Sequence, residues 1–344
     1  MARRMLGALG LAAGAGLLVS AVARRARRVD LRGRVVMITG GAHGLGFAIA
    51  HEFLGRGCKL AICGRGGELV ERAVADLRGK GADVFGEACD MSDPEQVRAF
   101  VARVLEHFGS IDVLVNNAGQ CFAGPAAQLE AETVEQALRG IFLLQFHPTM
   151  AVLPHMRARR FGRVVNITSI AGKLPVAHQA AYAAGKYAAT GWSETLAIEL
   201  ARDGVHVSTL TPPPLRNGAP LSVHFNGRAE EEFLWFTRVL TSRLATITAD
   251  RTARAVVDAA EHGDPERSIS LACWLATRAH GLAPNLAIRV LRILERWQPD
   301  PGAPGETSKM RSGHEVVEHS RDPRVHALAE AARADERRYL PSPA

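Results

Sequence analysis

Tyr182 and Lys186 are the residues whose types and spacing most directly suggest chemistry in this chain. Tyr182 is one of three tyrosines, and three small residues separate it from Lys186 in the stretch YAAGK. On a helix, residues four apart share one face, so the hydroxyl and the ammonium group can serve one site. A nearby cation favours phenolate and lowers the pKa of a tyrosine, which is normally near 10. Such a pair can supply the proton that a nascent alkoxide needs when a hydride reduces a carbonyl.

Whether this pair forms a functional site or lies on an ordinary solvated helix face depends on the elements around it. From residue 33 onward, short apolar segments alternate with segments of helical periodicity. This alternation predicts an α/β fold with a parallel sheet covered by helices on both faces, and ligands beyond the carboxyl ends of the strands. Strands are predicted at residues 35–39, 60–63, 83–87, 113–116, 164–168, 206–210 and 268–271. Helices are predicted at residues 67–80, 94–108, 180–203, 250–261 and 284–297.

A glycine-rich turn, TGGAHGLG at residues 39–46, follows the first predicted strand and opens a helix. Glycines let the backbone approach a pyrophosphate, and a helix N-terminus offers N–H groups and partial positive charge. The turn is weak evidence by itself. Its position between the first strand and the first helix favours a nucleotide site.

Four motifs occur in the order and spacing of the short-chain dehydrogenase/reductase family, classical type, over about residues 33–275. They are TGGAHGLG, NNAG at 116–119, NITS at 166–169 and YAAGK at 182–186. Ser169 lies thirteen residues before Tyr182, as in the family. The sequence therefore resembles this family. The resemblance implies a doubly wound Rossmann-type sheet of about seven parallel strands, an oxidoreductase activity, a nicotinamide cofactor and assembly into a homo-oligomer.

The resemblance also implies a role for each motif residue. Ser169 would hydrogen-bond the substrate oxygen, Tyr182 would be the acid/base, and Lys186 would hold the nicotinamide ribose. Residues expected to contact the cofactor are Thr39, Gly40, His43, Gly44, Leu45, Gly46, Arg65, Asp90, Asn117, Ala118, Gly119, Tyr182, Lys186 and Asn217. The histidines show no metal-ligand spacing, so no metal site is expected. His178 alone lies on the loop that usually borders the substrate.

The choice of cofactor depends on the end of the second strand, which reads AICGRGGE. An NAD enzyme places Asp or Glu there against the ribose hydroxyl, whereas an arginine accommodates a 2′-phosphate. This chain has Gly64 followed by Arg65, and His43 in the glycine turn can add a second contact. We therefore expect NADP(H) rather than NAD(H), the alternative being that Arg65 is a surface charge.

Two departures from the family pattern leave two functions open. The family's usual catalytic asparagine falls at Ile141, and Pro213 replaces the glycine of a proline-glycine pair. Proline can neither copy glycine's backbone freedom nor donate an N–H. The leading hypothesis is an NADP(H)-dependent carbonyl reductase or alcohol dehydrogenase. The alternative is an NADP-binding protein of this family with weak or no catalysis.

The regions after the sixth strand complete the predicted catalytic domain, residues 29–297. A substrate lid is expected at about residues 212–250, and its aromatic segment 233–240 favours a lipophilic substrate. Packing of these aromatic side chains against the core is an equally good explanation. Residues 298–344 are rich in Pro, Gly and charge, which favours a linker or disordered tail with one short helix near 327–337.

Composition restricts the remaining possibilities. With 344 residues, 47% hydrophobic and 22% charged, the chain suits one large domain with appendages. The net charge of +7 is accounted for by residues 1–34, which hold eight arginines and one aspartate, so nucleic-acid binding is not expected. The five cysteines form no C-x-x-C pair and resemble reduced core residues, which indicates a reducing compartment.

The N-terminus, residues 1–28, contains nineteen uncharged residues at 5–23. As a helix they would span about 28 Å, close to the hydrocarbon thickness of a bilayer. Two arginines precede and six follow the segment, so the positive-inside rule predicts a membrane-anchored protein with a cytoplasmic catalytic domain. A cleaved signal peptide and a helix lying on the membrane surface are the alternatives.

Overall fold

The central feature of the protein is a seven-stranded parallel sheet. A computed structural model describes residues 22, 24–302 and 309–342. The strands are β1 (Val35–Thr39), β2 (Lys59–Gly64), β3 (Val84–Ala88), β4 (Val113–Asn116), β5 (Gly162–Ile167), β6 (Val205–Thr211) and β7 (Glu266–Ser268). Their order across the sheet is β7-β6-β5-β4-β1-β2-β3, and every neighbouring pair is parallel. The predicted doubly wound Rossmann-type sheet is confirmed.

Helices cover both faces of this sheet. They are α1 (Gly44–Leu54), α2 (Gly67–Gly79), α3 (Pro94–Phe108), α4 (Ala131–Ala137), α5 (Leu144–Ala158), α6 (Ala180–Glu199), α7 (Ala229–Thr241), α8 (Ala249–His262), α9 (Leu271–Leu282), α10 (Pro284–Glu295), α11 (Gly313–His319) and α12 (Pro323–Arg337). A π-helical segment (Leu138–Leu143) joins α4 to α5. Short 3₁₀ turns span Ala126–Gln128, Ile170–Gly172, Ala201–Asp203 and Ala219–Ser222. Two-residue strands lie at Phe122–Ala123, Leu215–Arg216, His224–Phe225, Ile247–Thr248 and Arg311–Ser312.

The hydrophobic core forms one layer on each face of the sheet. In β1, Val36 and Ile38 pack under α1, α2 and α8, whereas Val35 and Met37 pack under α3, α5 and α6. Strands that are buried on both faces appear in sequence as continuous apolar runs. This is why the strand pattern of the chain could be read from its sequence.

The strand order reverses direction between β1 and β4. Strands β1 to β3 extend to one side of this point, and β4 to β7 extend to the other. Loops that leave β1 and β4 therefore diverge at the carboxyl edge and open a crevice, which is where ligands bind in sheets of this kind.

The last strand differs in position from its prediction. It spans Glu266–Ser268 rather than 268–271. The reason is local: Ser270 caps α9 by accepting a hydrogen bond from the N–H of Cys273 at 3.1 Å. The cap starts a helix at Leu271, so the apolar residue that suggested a strand belongs to the next element.

The C-terminal residues 309–342 are folded, although the sequence favoured a linker or disordered tail there. Helix α11 begins with a capping box between Ser312 and Glu315. Helix α12, which contains the short helix predicted at 327–337, begins at Asp322, whose side chain accepts the N–H of Arg324. Val316, Val325, Ala329 and Ala332 pack against Phe225, Phe233, Phe236 and Leu240 of the lid. The tail and the lid therefore share one hydrophobic cluster.

The prediction of a membrane-anchored protein is corrected here. Crossing a bilayer as a helix takes about 20 consecutive apolar residues. In residues 22, 24–302 and 309–342, no helix combines that length with enough apolar character. The predicted segment, 5–23, lies outside the described residues except for Val22.

Candidate active site

The glycine-rich turn is fastened to the end of β4 by two side chains. The Thr39 hydroxyl oxygen accepts hydrogen bonds from the backbone N–H groups of Asn117 and Ala118, both at 3.0 Å. The Asn117 side-chain amide donates to the carbonyl oxygens of Thr39 and Gly40, also at 3.0 Å each. The two loops that border the crevice are thus held in one fixed arrangement.

The turn has the shape of an anion cradle. Gly40 and Gly44 have φ values of 64° and 58°, a backbone region that favours glycine. A Cβ at Gly46 would collide with the Gly40 carbonyl oxygen and with the Asn117 amide. His43, at the N-cap of α1, makes no capping hydrogen bond with its side chain. Helix α1 thus directs its N-terminus toward the crevice, so the residues present fit a dinucleotide pyrophosphate.

A buried polar network surrounds the end of β4. The Asn116 amide donates to the Thr149 hydroxyl at 2.8 Å and to the Asn166 side-chain oxygen at 2.7 Å. Asn166 in turn donates to Ser193 at 2.9 Å, and Ser193 lies 2.7 Å from the Thr209 hydroxyl. The NNAG motif includes Asn116, but the sequence did not predict these partners, which come from β5, α5, α6 and β6.

Ser169, Tyr182 and Lys186 meet at the carboxyl edge of β5. Ser169 lies two residues after the strand, and Tyr182 and Lys186 lie one turn apart on α6. The Ser169 side chain lies close enough to the Tyr182 hydroxyl to influence its titration by hydrogen bonding. The Lys186 ammonium donates to the Ile167 carbonyl at 3.2 Å and lies 5.6 Å from the centroid of the Tyr182 ring. The three predicted catalytic side chains are therefore neighbours.

Burial dominates the titration of this group. It raises the pKa of Tyr182 above its ordinary value, an effect that the hydrogen bond from Ser169 partly opposes. It also lowers the pKa of Lys186 from 10.5 to about 8. The sequence predicted that Lys186 would lower the pKa of Tyr182, whereas burial raises it. The reason is that removing both groups from water disfavours both charged forms.

One cleft brings together nearly all the predicted site residues. Its walls include all the predicted catalytic residues and all the predicted cofactor residues except Thr39. They are Gly40, His43, Gly44, Leu45, Gly46, Arg65, Asp90, Asn117, Ala118, Gly119, Ser169, Tyr182, Lys186 and Asn217. Thr39 instead holds the loop after β4 through its hydroxyl oxygen. The cleft thus runs from the end of β2, past the glycine turn, to Tyr182.

Comparison with known proteins agrees with this arrangement. The chain matches the family model for short chain dehydrogenases over residues 34–221, more than half of its length. It belongs to the short-chain dehydrogenase family. The expected oxidoreductase family and fold are thereby confirmed.

Several members of this family are similar to the chain in sequence or structure. A Streptomyces violaceoruber protein named as ketoacyl reductase 1 of the granaticin polyketide synthase is 38% identical over 52% of this chain and 66% of its own length. The Anopheles gambiae dehydrogenase/reductase SDR family protein 7-like is 36% identical over 53% of this chain and 59% of its own length. The match therefore spans about three-fifths to two-thirds of these two relatives. A crystal structure of a variant actinorhodin polyketide ketoreductase with NADPH is 28% identical, with a TM-score of 0.60 over 70% of this chain and 95% of that one.

Ile141, at the usual asparagine position of the short-chain dehydrogenases, is a core residue. It lies in the π-helical segment, has 0% exposure, and packs with Phe122, Ala137 and Ala181. It is not part of the cleft wall, to which its neighbour Gly140 contributes. Where the family has a polar asparagine, this chain therefore has an apolar side chain that packs between the π-helical segment and α6. Pro213, the other departure, does line the cleft.

Cys121 is a cleft residue that the sequence did not single out. Its thiol lies close enough to influence the titration of both Tyr182 and Lys186. Burial raises the pKa of the thiol to about 12, so it is neutral at physiological pH. Its sequence signal, a cysteine at the edge of an apolar run, could not distinguish this position from the core.

His178 connects the substrate loop to the lid. Its imidazole nitrogen lies 2.6 Å from a carboxylate oxygen of Glu232 on α7, and both side chains are buried. Its backbone has a φ of 58°, and its carbonyl accepts the N–H of Gly124 at 2.7 Å. The sequence singled out His178 but not Glu232, which lies 54 residues away. Throughout residues 22, 24–302 and 309–342, no cluster of His, Cys, Asp and Glu is arranged to hold a metal ion.

Proposed function

We propose that this short-chain dehydrogenase transfers a hydride between NADP(H) and the carbonyl or alcohol carbon of a lipophilic small molecule. The observation that carries the proposal is the contact of Ser169, Tyr182 and Lys186 in the cleft that also contains the glycine turn. A proton donor, a hydrogen-bond donor and a cation then surround one point beside an anion cradle. This is the set of groups that carbonyl reduction requires.

Each residue of the site has one role in the proposed reaction. The bound nicotinamide supplies or accepts the hydride. Ser169 donates a hydrogen bond to the substrate oxygen, and Tyr182 transfers its proton to that oxygen as charge develops. The raised pKa of Tyr182 keeps the hydroxyl protonated at neutral pH, which suits a donor. Lys186 is held by the Ile167 carbonyl beside the tyrosine ring, where it would bind the nicotinamide ribose.

Preference for NADP(H) is supported by the end of β2. The strand ends at Gly64 with no carboxylate to receive a ribose hydroxyl, and Arg65 and His43 line the same cleft. A guanidinium group binds phosphate through paired donors. The NADPH complex of the actinorhodin ketoreductase variant is consistent with this choice.

A lipophilic substrate is supported by the lid. Trp235, Phe236, Val239 and Leu240 line the cleft from α7. The buried Phe225 and Phe233 belong only to the cluster shared with the tail, whereas Phe236 and Leu240 belong to that cluster and to the cleft wall. The aromatic segment therefore serves both packing and the cleft wall. The ketoacyl reductase names of relatives make 3-oxoacyl compounds natural test substrates.

Ile141 and Pro213 favour one competing function, a dinucleotide-binding protein with weak or no turnover. The apolar Ile141 side chain cannot take part in a proton relay. Proline at 213 has no N–H to offer a cofactor.

The test is consumption of NADPH and NADH by the full chain with a panel of ketones, aldehydes and 3-oxoacyl thioesters. We expect turnover with NADPH on at least one lipophilic compound, and alcohol product in equal amount. If the protein binds NADPH but turns over no member of the panel, the competing function is supported. If it binds neither dinucleotide, both functions are wrong.

A further inference from the structure

The end of α12 and the residues that follow it run from the lid past the glycine turn to α2. We call residues 336–342 the C-terminal strap. At one end, Glu336 fits against Gly218 of the lid, where a Cβ would collide with the Glu336 side chain. At the other end, Ser342 donates to an Asp76 carboxylate oxygen at 2.8 Å, and the Arg72 guanidinium donates to the Pro341 carbonyl at 3.3 Å. The strap thus joins the two sides of the cofactor cleft.

Tyr339 anchors the middle of the strap. Its side chain is 6% exposed and belongs to the core cluster beside α1 and α8. Its hydroxyl donates to an Asp250 carboxylate oxygen at 3.0 Å. The strap is therefore a packed element with a defined position beside α1, and Glu336 is its residue in the cleft wall.

Two contacts place the strap in competition with an anion at the glycine turn. The Tyr339 carbonyl accepts the N–H of Gly44 at 2.9 Å, which is the first N–H of α1. Glu336 lines the cleft together with His43, and its carboxylate acts on the His43 imidazole. A pyrophosphate at a helix N-terminus needs those N–H groups and is repelled by a nearby carboxylate.

We infer that the C-terminal strap occupies part of the dinucleotide site, and that a nicotinamide dinucleotide must displace it from Gly44 to bind. The inference rests on the proposed cofactor class and adds that the chain's own C-terminal segment sets its affinity. When the strap occupies the turn, only the strap-free fraction binds cofactor, so the apparent dissociation constant rises by the inverse of that fraction. NADPH and NADH share the pyrophosphate, so both are affected equally.

The experiment compares the full chain with a chain that ends at Asp335, and with Glu336→Gln and Tyr339→Phe. Glu318→Gln is the matched control, because Glu318 is an exposed carboxylate on α11 that does not line the cleft. Dissociation constants for NADPH and NADH are measured by calorimetry. We expect binding about tenfold tighter for the shortened chain and about threefold tighter for Glu336→Gln, since each removes a competing hydrogen bond or charge. Glu318→Gln should match the wild type.

In Tyr339→Phe, which retains Glu336 beside His43, the NADPH/NADH affinity ratio must stay unchanged. Unchanged or weaker binding of both dinucleotides in Glu336→Gln and Tyr339→Phe overturns the inference, even if the shortened chain fails to fold. Hydrogen exchange gives a second readout: NADPH should speed exchange of the Ser342 amide, which donates to Asp76 in the closed strap. Slower exchange there would mean that the strap clamps the cofactor instead. Absence of dinucleotide binding in every folded variant would overturn the cofactor proposal itself.

Discussion

Ile141 packs directly against Gly185, the residue before Lys186. A Cβ at Gly185 would lie 2.9 Å from the Ile141 Cδ1 atom and 3.1 Å from the Ala137 carbonyl oxygen. The residue that replaces the family's asparagine thus fixes the separation between the π-helical segment and α6. That separation positions Tyr182 and Lys186.

Gly185→Ala should push α6 away from Ile141. We expect a loss of about 1–3 kcal/mol in the free energy of unfolding, as for an overpacked core, together with slower turnover. Ile141→Val in the same chain should restore part of both. Gly191→Ala is the control, because a Cβ at that position on α6 meets nothing within 4 Å. Equal stability of Gly185→Ala and the wild type would show that α6 and Ile141 can separate enough to admit a methyl group without loss of stability.

Ile141→Asn should not raise turnover, although it restores the family residue. The position has 0% exposure and apolar neighbours, so an amide there would lose its hydrogen bonds to water. We expect destabilisation of about 2–4 kcal/mol in urea unfolding, more than for Ile141→Val at about 1 kcal/mol. A faster Ile141→Asn enzyme would mean that this side chain can reach the cleft.

Tyr182→Phe should reduce turnover at least about 100-fold, because it removes the positioned proton donor. The dissociation constant for NADPH should stay within about twofold of the wild type, since the ring and Lys186 remain. Single-turnover rates and calorimetry measure the two effects separately. If more than about a tenth of the rate remained, the assignment of Tyr182 would be wrong.

Arg65→Ala should weaken NADPH binding far more than NADH binding. A guanidinium that pairs with a phosphate contributes about 1.5–3 kcal/mol, or roughly 10- to 100-fold. Arg98→Ala is a suitable control, since Arg98 pairs with Glu95 on α3 and does not line the cleft. An unchanged NADPH/NADH ratio in Arg65→Ala would contradict the proposed role. The ratio also separates this effect from that of the strap.

Lys186→Met should lose turnover but gain stability at neutral pH. The pKa of Lys186 is lowered from 10.5 to about 8 by burial, so between these values the unfolded chain binds more protons than the folded one. Wild-type stability should therefore rise, relative to the variant, as the pH increases through this window. The variant's advantage at pH 7 should be up to about 3 kcal/mol. Urea titrations of both proteins at pH 7 and 10 measure the change; parallel behaviour would contradict the burial of a charged Lys186.

The sheet and the positions of the site residues could be predicted from the sequence because each depends on a local sequence pattern. β1 and β4 are apolar runs that end in Thr39 and Asn116, so the motifs mark where strands stop. Parallel strands then bring those ends to one edge. The sequence could also have revealed the folded tail, since Ser312 with Glu315 forms a capping box and Asp322 precedes a proline at the start of α12.

The contacts that join the lid and the tail to the site could not be predicted from sequence, because they connect distant parts of the chain. Glu232 meets His178 only once α7 has folded over the substrate loop. Tyr339 reaches Gly44 from almost 300 positions away. Nothing in the composition of either segment specifies its partner. The rise in the Tyr182 pKa was also missed, since burial is its largest cause and cannot be inferred from the spacing to Lys186.

The polar chain that links Asn116, Asn166, Ser193 and Thr209 also limits how this sequence can drift. Each side chain in this network makes a hydrogen bond to its neighbour, and all four side chains are buried from solvent. A single substitution leaves the adjacent group unpaired, whereas two matched changes can preserve the bond. Related sequences that still fold should therefore change these positions in pairs, even though the paired residues lie on different elements and far apart in the sequence.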